Sequence, residues 1–282
     1  MPDNPFTNLD AFLFDGDGVL YKEDKSLPGT IEFLQFLQEM KKQIVILTNN
    51  STKTREEFQK KLSTMGIEIS IENILSSSYL TAKCLSEEKP GAIIYAIGEE
   101  GLKQELRSFG LDVVNSWQEK NTEDIFDFKM SNIDFVVTGM DRALTYVKLA
   151  RAMNILQNKE VKFIATNSDI TFPTAQGLIP GGGAMITILE QLTSRKIERI
   201  VGKPQPLMYK TALDIAQTPK EKAMMFGDRI ETDIVGAINF GIKTCLVLSG
   251  VTDMEDLDKL SEENSPDIII NNLQDALETF RE

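Results

Sequence analysis

Three carboxylates stand out because of where they fall in the sequence. Asp15 and Asp17 lie on either side of Gly16, directly after the apolar run Ala11–Phe14. Asp228 follows another apolar run much later in the chain. Acids held together at the end of a strand repel each other unless a cation or a shared proton relieves them. Because carboxylate oxygens are the ligands that Mg²⁺ prefers, these positions predict a magnesium site.

A second set of groups suits a phosphoryl group. Thr48 and Lys203 follow apolar runs in the same way and offer a hydroxyl and a positive charge, which bind phosphoryl oxygens. The backbone amides of Asn49 and Asn50, near a predicted helix start, can bind the same oxygens. Asp233 lies in the first turn of a predicted helix, where we expect it to orient a metal-bound water or Lys203.

The composition removes several kinds of chemistry and partner. The 282 residues include no histidine, which excludes Ser-His-Asp and Cys-His catalysis and His-ligated metal centres. A net charge of −13 disfavours nucleic acid and anionic membranes as partners. Cys84 and Cys245 give no disulfide framework, and neither a signal peptide nor a membrane span is visible. We therefore expect a cytoplasmic protein.

Apolar runs and amphipathic segments alternate along the chain. The runs at 11–14 and 44–47 are each followed by a helical pattern, at 30–42 and 54–66. This alternation predicts an α/β fold with a Rossmann-like parallel-sheet core. Ligands bind beyond the carboxyl ends of the strands in such sheets, so we expect the polar stretches to converge there.

A second alternating series begins at Lys89, and we interpret it as an inserted α/β cap domain. The predicted core comprises residues 1–82 and 184–282, and the predicted cap comprises residues 83–183. The interval between Asp15 and Thr48 is too short for a cap, so the later insertion is the candidate for covering the site and choosing the substrate.

Two stretches lead from the insertion back to the core. The Gly- and Pro-rich stretch Asn167–Gly183 predicts a long loop, and Arg199–Val201 predicts a core strand that leads to Lys203. Each polar stretch also has a structural interpretation, such as a turn that closes a strand or a surface lysine at a helix start. Four such coincidences, each at a strand end, are improbable.

The polar stretches together resemble the motifs of a known family. DGDGVL, TNN, GKP and GDRxxTD, in this order, resemble the four motifs of the haloacid dehalogenase superfamily of phosphohydrolases. The stretch Gly177–Met185 is similar to the para-nitrophenyl-phosphatase-like, or NagD-like, branch, which carries a large α/β cap. Gly16 departs from the family, in which a larger residue usually stands between the two acids.

The resemblance implies a role for each group. Asp15 would be the nucleophile that forms an aspartyl-phosphate, and Asp17 would be the general acid and then the base. Thr48 and Lys203 would hold the phosphoryl group. The Mg²⁺ ligands would be Asp15, the Asp17 carbonyl and Asp228, with Asp233 in support.

We therefore predict a Mg²⁺-dependent phosphatase of small phosphate monoesters, such as para-nitrophenyl phosphate, phosphoglycolate, and sugar or nucleotide monophosphates. Two alternatives stay open: a phosphotransferase or mutase, and a catalytically weak phosphate-binding regulatory protein. Asp17 argues against a pure binder and against a dehalogenase, since neither needs a leaving-group acid. Phe172 is predicted to contact the substrate from the cap, with packing in the cap core as the alternative. We expect caps of this kind to pair into homodimers.

Overall fold

Strands and helices alternate along most of the chain. The computed structural model describes residues 4–120, 124–127, 131–174, 176–257 and 260–281. The strands within these residues are β1 (Ala11–Asp15), β2 (Tyr21–Lys22), β3 (Lys25–Ser26), β4 (Gln43–Thr48), β5 (Ile74–Ser76), β6 (Ile93–Ile97), β7 (Asp112–Val113), β8 (Phe135–Thr138), β9 (Lys162–Ala165), β10 (Thr171–Thr174), β11 (Gly177–Pro180), β12 (Arg199–Ile200), β13 (Ala223–Gly227), β14 (Lys243–Val247) and β15 (Ile268–Ile270).

The α-helices include the predicted amphipathic segments. In chain order they are α1 (Thr30–Glu39), α2 (Arg55–Thr64), α3 (Ser77–Glu88), α4 (Glu100–Ser108), α5 (Tyr146–Ile155), α6 (Gly182–Thr193), α7 (Pro206–Ala216), α8 (Val235–Phe240), α9 (Met254–Leu257) and α10 (Leu273–Arg281). Across the described ranges, none of these helices combines the length and the apolar character that crossing a membrane requires.

The chain divides into two compact units. The first unit comprises Met1–Thr48, Glu56–Leu75 and Lys203–Glu282, and the second comprises Asn49–Arg55 and Ser76–Gly202. The second unit contains the whole predicted insertion. It also contains α6 and β12, which the sequence pattern assigns to the core.

The first unit is built on a six-stranded sheet in the order β15-β14-β13-β1-β4-β5. Its strands β15, β14, β13, β1 and β4 pair in parallel, which confirms the predicted α/β class. All five residues of β1 are buried, as expected for a strand covered on both faces. The core on one side of the sheet is a cluster of aromatic rings formed by Phe6, Phe12, Phe14, Phe33, Phe226 and Phe280. Full burial of one such side chain contributes about 1.5–3 kcal/mol.

The second unit has its own parallel sheet, in the order β12-β9-β8-β6-β7. The prediction that Arg199–Val201 forms a core strand is wrong, because β12 pairs with β9 at the edge of this sheet. The predicted long loop at Asn167–Gly183 is also only partly correct. It contains an antiparallel hairpin, in which Thr171 pairs with Pro180 and Thr174 with Gly177.

Candidate active site

The central strands of the first unit bring the predicted polar residues to one edge of the sheet. Asp15 is the last residue of β1, Thr48 is the last residue of β4, and Asp228 directly follows β13. Because β1 lies between β13 and β4 and runs parallel to both, the three residues lie at the same edge. Lys203 reaches this edge differently from the prediction, since it precedes α7 and does not follow a strand of this sheet.

Lys203 connects two of the carboxylates. Its Nζ lies 2.6 Å from Asp15 Oδ1 and 2.7 Å from Asp233 Oδ1. The same ammonium donates to the Leu47 carbonyl at 3.1 Å. The Lys203 side chain is almost fully buried, so its charge is held in place by these partners and not by water.

Asp233 lies in a π-helical turn, Ile230–Ile234, that leads into α8. Its Oδ2 accepts a hydrogen bond of 3.1 Å from the Arg229 amide. Both of its carboxylate oxygens therefore have protein partners, the Arg229 amide on one and Lys203 on the other. This arrangement fits the predicted role of Asp233 in orienting Lys203.

Two carboxylate oxygens of the cluster, Asp228 Oδ1 and Asp233 Oδ1, have no hydrogen bond from a described residue, but Asp233 Oδ1 has its ion pair with Lys203. Asp228 Oδ2 accepts from the Val251 amide at 2.8 Å. Its Oδ1 is buried and has no hydrogen-bond partner among the residues that the structure describes. Glycines make room for this side chain: a Cβ would lie 2.3 Å from Asp228 Oδ2 at Gly18, where φ is 85°, and 1.9 Å from it at Gly250.

The cluster carries more negative than positive charge. Asp15, Asp228 and Asp233 each place a carboxylate oxygen within 4.8 Å of the others. A hard divalent cation fits this set, because it would neutralise the excess charge and give the orphaned Asp228 oxygen a partner. The Asp17 side chain is not part of this group, and the use of its backbone carbonyl as a ligand stays a prediction.

The pKa shifts of these residues reflect the same excess of negative charge. Burial raises the pKa of Asp228 well above its usual range, and the nearby Asp15 and Asp233 charges raise it further. Burial also raises the pKa of Asp15, against the opposing effect of Lys203. Although burial disfavours the charged form of Lys203, Asp15 and Asp233 together raise its pKa, so this lysine stays protonated.

Tyr21 is a site residue that the sequence patterns do not single out. Its side chain is almost fully buried, and its hydroxyl donates to Asp17 Oδ2 at 3.3 Å. Burial raises the pKa of Tyr21, as do the charges of Asp17 and Asp15, so the phenol remains a proton donor. The sequence feature that could have pointed to Tyr21 is the unusual Gly16, five residues earlier in the chain.

Asn49 is held within the second unit. Its carbonyl accepts from Asn167 Nδ2 at 2.8 Å and from Ser77 Oγ at 3.0 Å. Its side-chain amide donates to Asp169 Oδ2 at 3.1 Å. Gly202 lies so close that a Cβ on it would be 2.4 Å from Asn49 Oδ1. Asn167 and Asp169 therefore fix Asn49, a link that the sequence did not predict.

The two remaining predicted residues also lie in the second unit. Asn50 closes a local turn, since its Oδ1 accepts from the Thr52 amide at 3.0 Å and from the Thr52 hydroxyl at 2.7 Å. Phe172 lies on β10 opposite Ile179 and is half-buried. Neither observation tests the predicted contact of these residues with a substrate.

Comparison with protein families gives two matches. A model described as haloacid dehalogenase-like hydrolase matches residues 12–112, and a model described as HAD-hydrolase-like matches residues 200–276. These segments contain all of the predicted core motifs.

Similar proteins cover nearly the whole chain. An acid sugar phosphatase of Staphylococcus saprophyticus is 35% identical over 90% of this chain and 92% of its own length. The structure of a p-nitrophenyl phosphatase from Archaeoglobus fulgidus has a TM-score of 0.85 and 33% identity, covering 96% of this chain and 98% of that one. A glycerol phosphate phosphatase from Mycobacterium tuberculosis, solved in complex with magnesium, has a TM-score of 0.81 and 27% identity, covering 95% and 76%. The chain belongs to the haloacid dehalogenase-like hydrolases and is an enzyme of that family.

Proposed function

We propose that the protein is a Mg²⁺-dependent phosphatase that hydrolyses small phosphate monoesters through an aspartyl-phosphate. The observation that carries this proposal is the buried cluster of Asp15, Asp228 and Asp233, in which Lys203 pairs with Asp15 and Asp233. The phosphatase names of the similar proteins support the same reaction class.

In the first step, an Asp15 carboxylate oxygen forms a bond to phosphorus while the bond from phosphorus to the leaving oxygen breaks. The electron pair of that bond goes to the leaving oxygen, which takes the proton of Asp17. In the second step, Asp17 takes a proton from water, whose oxygen attacks the phosphorus. The bond between phosphorus and Asp15 then breaks, which releases inorganic phosphate and restores both carboxyl groups.

Lys203 and Thr48 hold the transferred group in this scheme. The Lys203 ammonium already contacts Asp15 Oδ1, so a phosphoryl group joined to Asp15 would lie beside a positive charge. The Thr48 hydroxyl, at the end of the neighbouring strand, is the proposed second donor. The amides of Asn49 and Asn50, which follow Thr48 in the chain, stay predicted donors.

Mg²⁺ would be held by Asp15, Asp228 and the Asp17 carbonyl, with Asp233 fixing Lys203 beside them. When bound, Mg²⁺ offsets the repulsion between the Asp15 carboxylate and the anionic ester. Asp233 has both oxygens engaged by the protein, so we assign it to positioning.

The substrates that we propose are phosphate esters of sugars and small polyols, because the similar proteins include an acid sugar phosphatase and a glycerol phosphate phosphatase. A screen of phosphorylated metabolites, with release of inorganic phosphate as the readout, would rank the candidates. The contact of Phe172 with the leaving group and a homodimer formed through the second unit stay predictions.

The central test is the hydrolysis of para-nitrophenyl phosphate with and without Mg²⁺. We expect Mg²⁺-dependent turnover that EDTA abolishes and that Asp15→Asn lowers on the order of 10⁴-fold or more, since the nucleophile is removed. Asp10→Asn is the matched control, because Asp10 precedes β1 and forms surface ion pairs with Lys42 and Lys222. Metal-independent turnover, or an active Asp15→Asn variant, would contradict the proposal.

The same assay separates the alternatives. A phosphotransferase would release nitrophenol faster than inorganic phosphate once a sugar acceptor is added, and a mutase would convert one sugar phosphate into another. A regulatory binder would bind phosphate without turning over any ester in the screen. We expect equal release of nitrophenol and phosphate.

A further inference from the structure

The side chain of Tyr21 occupies the space beside Gly16. The Tyr21 amide donates to the Gly16 carbonyl at 3.3 Å, and the Gly18 amide donates to the Tyr21 carbonyl at 2.8 Å. These bonds fold the loop after β1 back on itself, so that the phenol lies over Gly16 and its hydroxyl meets Asp17 Oδ2 at 3.3 Å.

Gly16 is required by this ring and not by the backbone. Its φ lies outside the left-handed region, so an L-amino acid could adopt the same backbone conformation. A Cβ at this position, however, would lie 2.8 Å from the Tyr21 hydroxyl oxygen and 3.2 Å from Cζ. The atom that excludes a larger residue at position 16 is therefore the same hydroxyl that contacts Asp17.

A third residue holds the ring from outside the loop. Lys61, on α2, places its Nζ 4.0 Å from the centre of the Tyr21 ring, a distance at which an ammonium is attracted to an aromatic face. Tyr21 is 1% exposed, whereas Asp17 is only partly buried. A buried, fixed phenol thus holds a carboxyl group that solvent also reaches.

We propose that Tyr21 is a positioning residue for Asp17, and that Gly16 supplies the space this interaction needs. The proposal rests on the proposed function, in which Asp17 protonates the leaving oxygen. A carboxyl group that turns away from that oxygen loses rate steeply, because proton transfer depends on alignment. Tyr21 restricts the Asp17 carboxyl to one orientation.

The first test is Tyr21→Phe, which keeps the ring and removes the hydroxyl. We expect kcat/KM for an alkyl ester such as glycerol phosphate to fall about tenfold, the worth of one hydrogen bond to a charged group. We expect kcat/KM for para-nitrophenyl phosphate to fall less than about twofold, because nitrophenolate leaves without an acid. This parameter covers only the steps up to release of the leaving group, so the role of Asp17 as base in the second step does not enter it. Asp17→Asn, assayed in parallel, removes the acid completely. It therefore sets the largest difference between the two esters that loss of the acid can produce in kcat/KM.

The second test is a double-mutant cycle with Gly16→Ala. Alone, the added methyl group should displace the Tyr21 hydroxyl and reproduce the Tyr21→Phe pattern. Combined with Tyr21→Phe, it should add little, because the nearest remaining atom would be Cζ at 3.2 Å. Coupling of this kind is expected of residues that act through one contact. Additive losses would overturn the proposed link between Gly16 and Tyr21.

Tyr95→Phe is the matched control. Tyr95 is fully buried in the second unit, and its hydroxyl donates to a carboxylate oxygen of Glu119 at 2.9 Å. This variant should lose stability without changing the ratio of the two kcat/KM values. Thermal unfolding of every variant ensures that assays are run on folded protein, and Gly16→Ala serves if Tyr21→Phe does not fold.

The outcomes distinguish a failure of the proposed function from a failure of the inference about Tyr21. A wild-type protein without Mg²⁺-dependent turnover overturns the proposed function, and this inference with it. The inference alone is overturned if the wild-type protein is active but Tyr21→Phe and Gly16→Ala lower the activity toward both esters equally, or toward neither.

Discussion

Both compact units bury charged side chains, but they balance the charges differently. In the second unit two buried acids each pair with a cation: Lys148 Nζ lies 2.7 Å from Asp141 Oδ2, and Arg151 binds Glu119. In the first unit Lys203 pairs with Asp15 and Asp233, while Asp228, in the same group of acids, has no ion pair among the described residues. Both clusters are almost completely removed from water.

The difference separates a structural cluster from a functional one. A paired buried charge is satisfied by the fold itself, and only breaking the pair is expensive. A buried excess of one sign is unfavourable until a ligand of the other sign binds, so it marks a site for chemistry. Stability measurements on matched variants of the two clusters can test this distinction. The single tryptophan, Trp117, belongs to the second unit and reports on its unfolding.

The largest effect on stability is expected in the second unit. Asp141→Asn removes the negative charge that pairs with the buried Lys148 ammonium, which also donates to the Ala143 carbonyl at 2.9 Å. We expect a loss of about 3–5 kcal/mol in the free energy of unfolding, measured by Trp117 fluorescence in urea. Glu100→Gln, which breaks the exposed pair with Arg107, should cost less than about 1 kcal/mol. Similar losses in the two variants would mean that the buried Asp141–Lys148 pair contributes no more than an exposed one.

The next effect is stabilisation of the first unit by metal. At one hundred times its Kd, Mg²⁺ should raise the free energy of unfolding by about 2.7 kcal/mol. Asp228→Asn should remove most of this gain, because Asp228 supplies the oxygen that lacks a partner. Circular dichroism during heating, with NaCl at equal ionic strength as the control, measures the change. A gain that persists in Asp228→Asn would place the cation elsewhere.

Without metal, Asp228→Asn should change the free energy of unfolding in the opposite direction to Asp141→Asn. Removing one of three crowded carboxylates relieves repulsion, so we expect a gain of about 1 kcal/mol in EDTA at pH 8. Urea unfolding followed by circular dichroism tests this sign. A loss comparable with that of Asp141→Asn would mean that the acids of the first unit are as well paired as those of the second.

The smallest effect concerns pH. Burial lowers the pKa of Lys103, in the second unit, to about 7, with Glu119 opposing and Lys148 adding to the shift. Between pH 7 and the ordinary lysine pKa, the unfolded chain binds a proton that the folded one does not, so stability rises with pH. We expect a slope of about 1 kcal/mol per pH unit between pH 7 and 9. Lys103→Met should flatten the slope that Trp117 fluorescence reports, and an unchanged slope would refute the assignment.

The sequence predicted those features of the fold that depend on local pattern. The all-apolar run before Asp15 forms β1, and the predicted strand at 44–47 forms β4 with one extra residue at each end. Glycines follow two of the helices: Gly66 comes shortly after α2 and Gly241 directly after α8, with φ values of 81° and 87°. Each of these features follows from burial or from backbone preference within a few neighbouring residues.

Features that depend on distant partners were missed. Arg199–Ile200 is too short to show which sheet it joins, because two residues carry no alternation that could identify a partner strand. Pro173 and the glycines around it argued for a loop, yet Pro173 lies in a hairpin strand. Both strands of a two-stranded hairpin are edge strands, and edge strands tolerate proline. The three acids were found because each lies at a strand end or in a helix turn.

The contact between Tyr21 and Gly16 required coordinates, since the direction of a side chain in a turn cannot be read from spacing. Gly16 was visible as a departure from the family motif, but its cause was not. The hydroxyl of a residue five positions later fills the space that a side chain at position 16 would take.

The chain enters and leaves the second unit at points that lie side by side within it. Ser77 donates to the Asn49 carbonyl, and Gly202 lies against the Asn49 side chain. The entropy lost on closing a loop depends on the flexible residues between its ends, and this insertion carries an ordered sheet of its own. For the rest of the chain, the entropy lost on closing a long insertion whose ends lie together is therefore little more than that of a short loop. Evolution could lengthen, trim or exchange it while β1 and its neighbours keep their register.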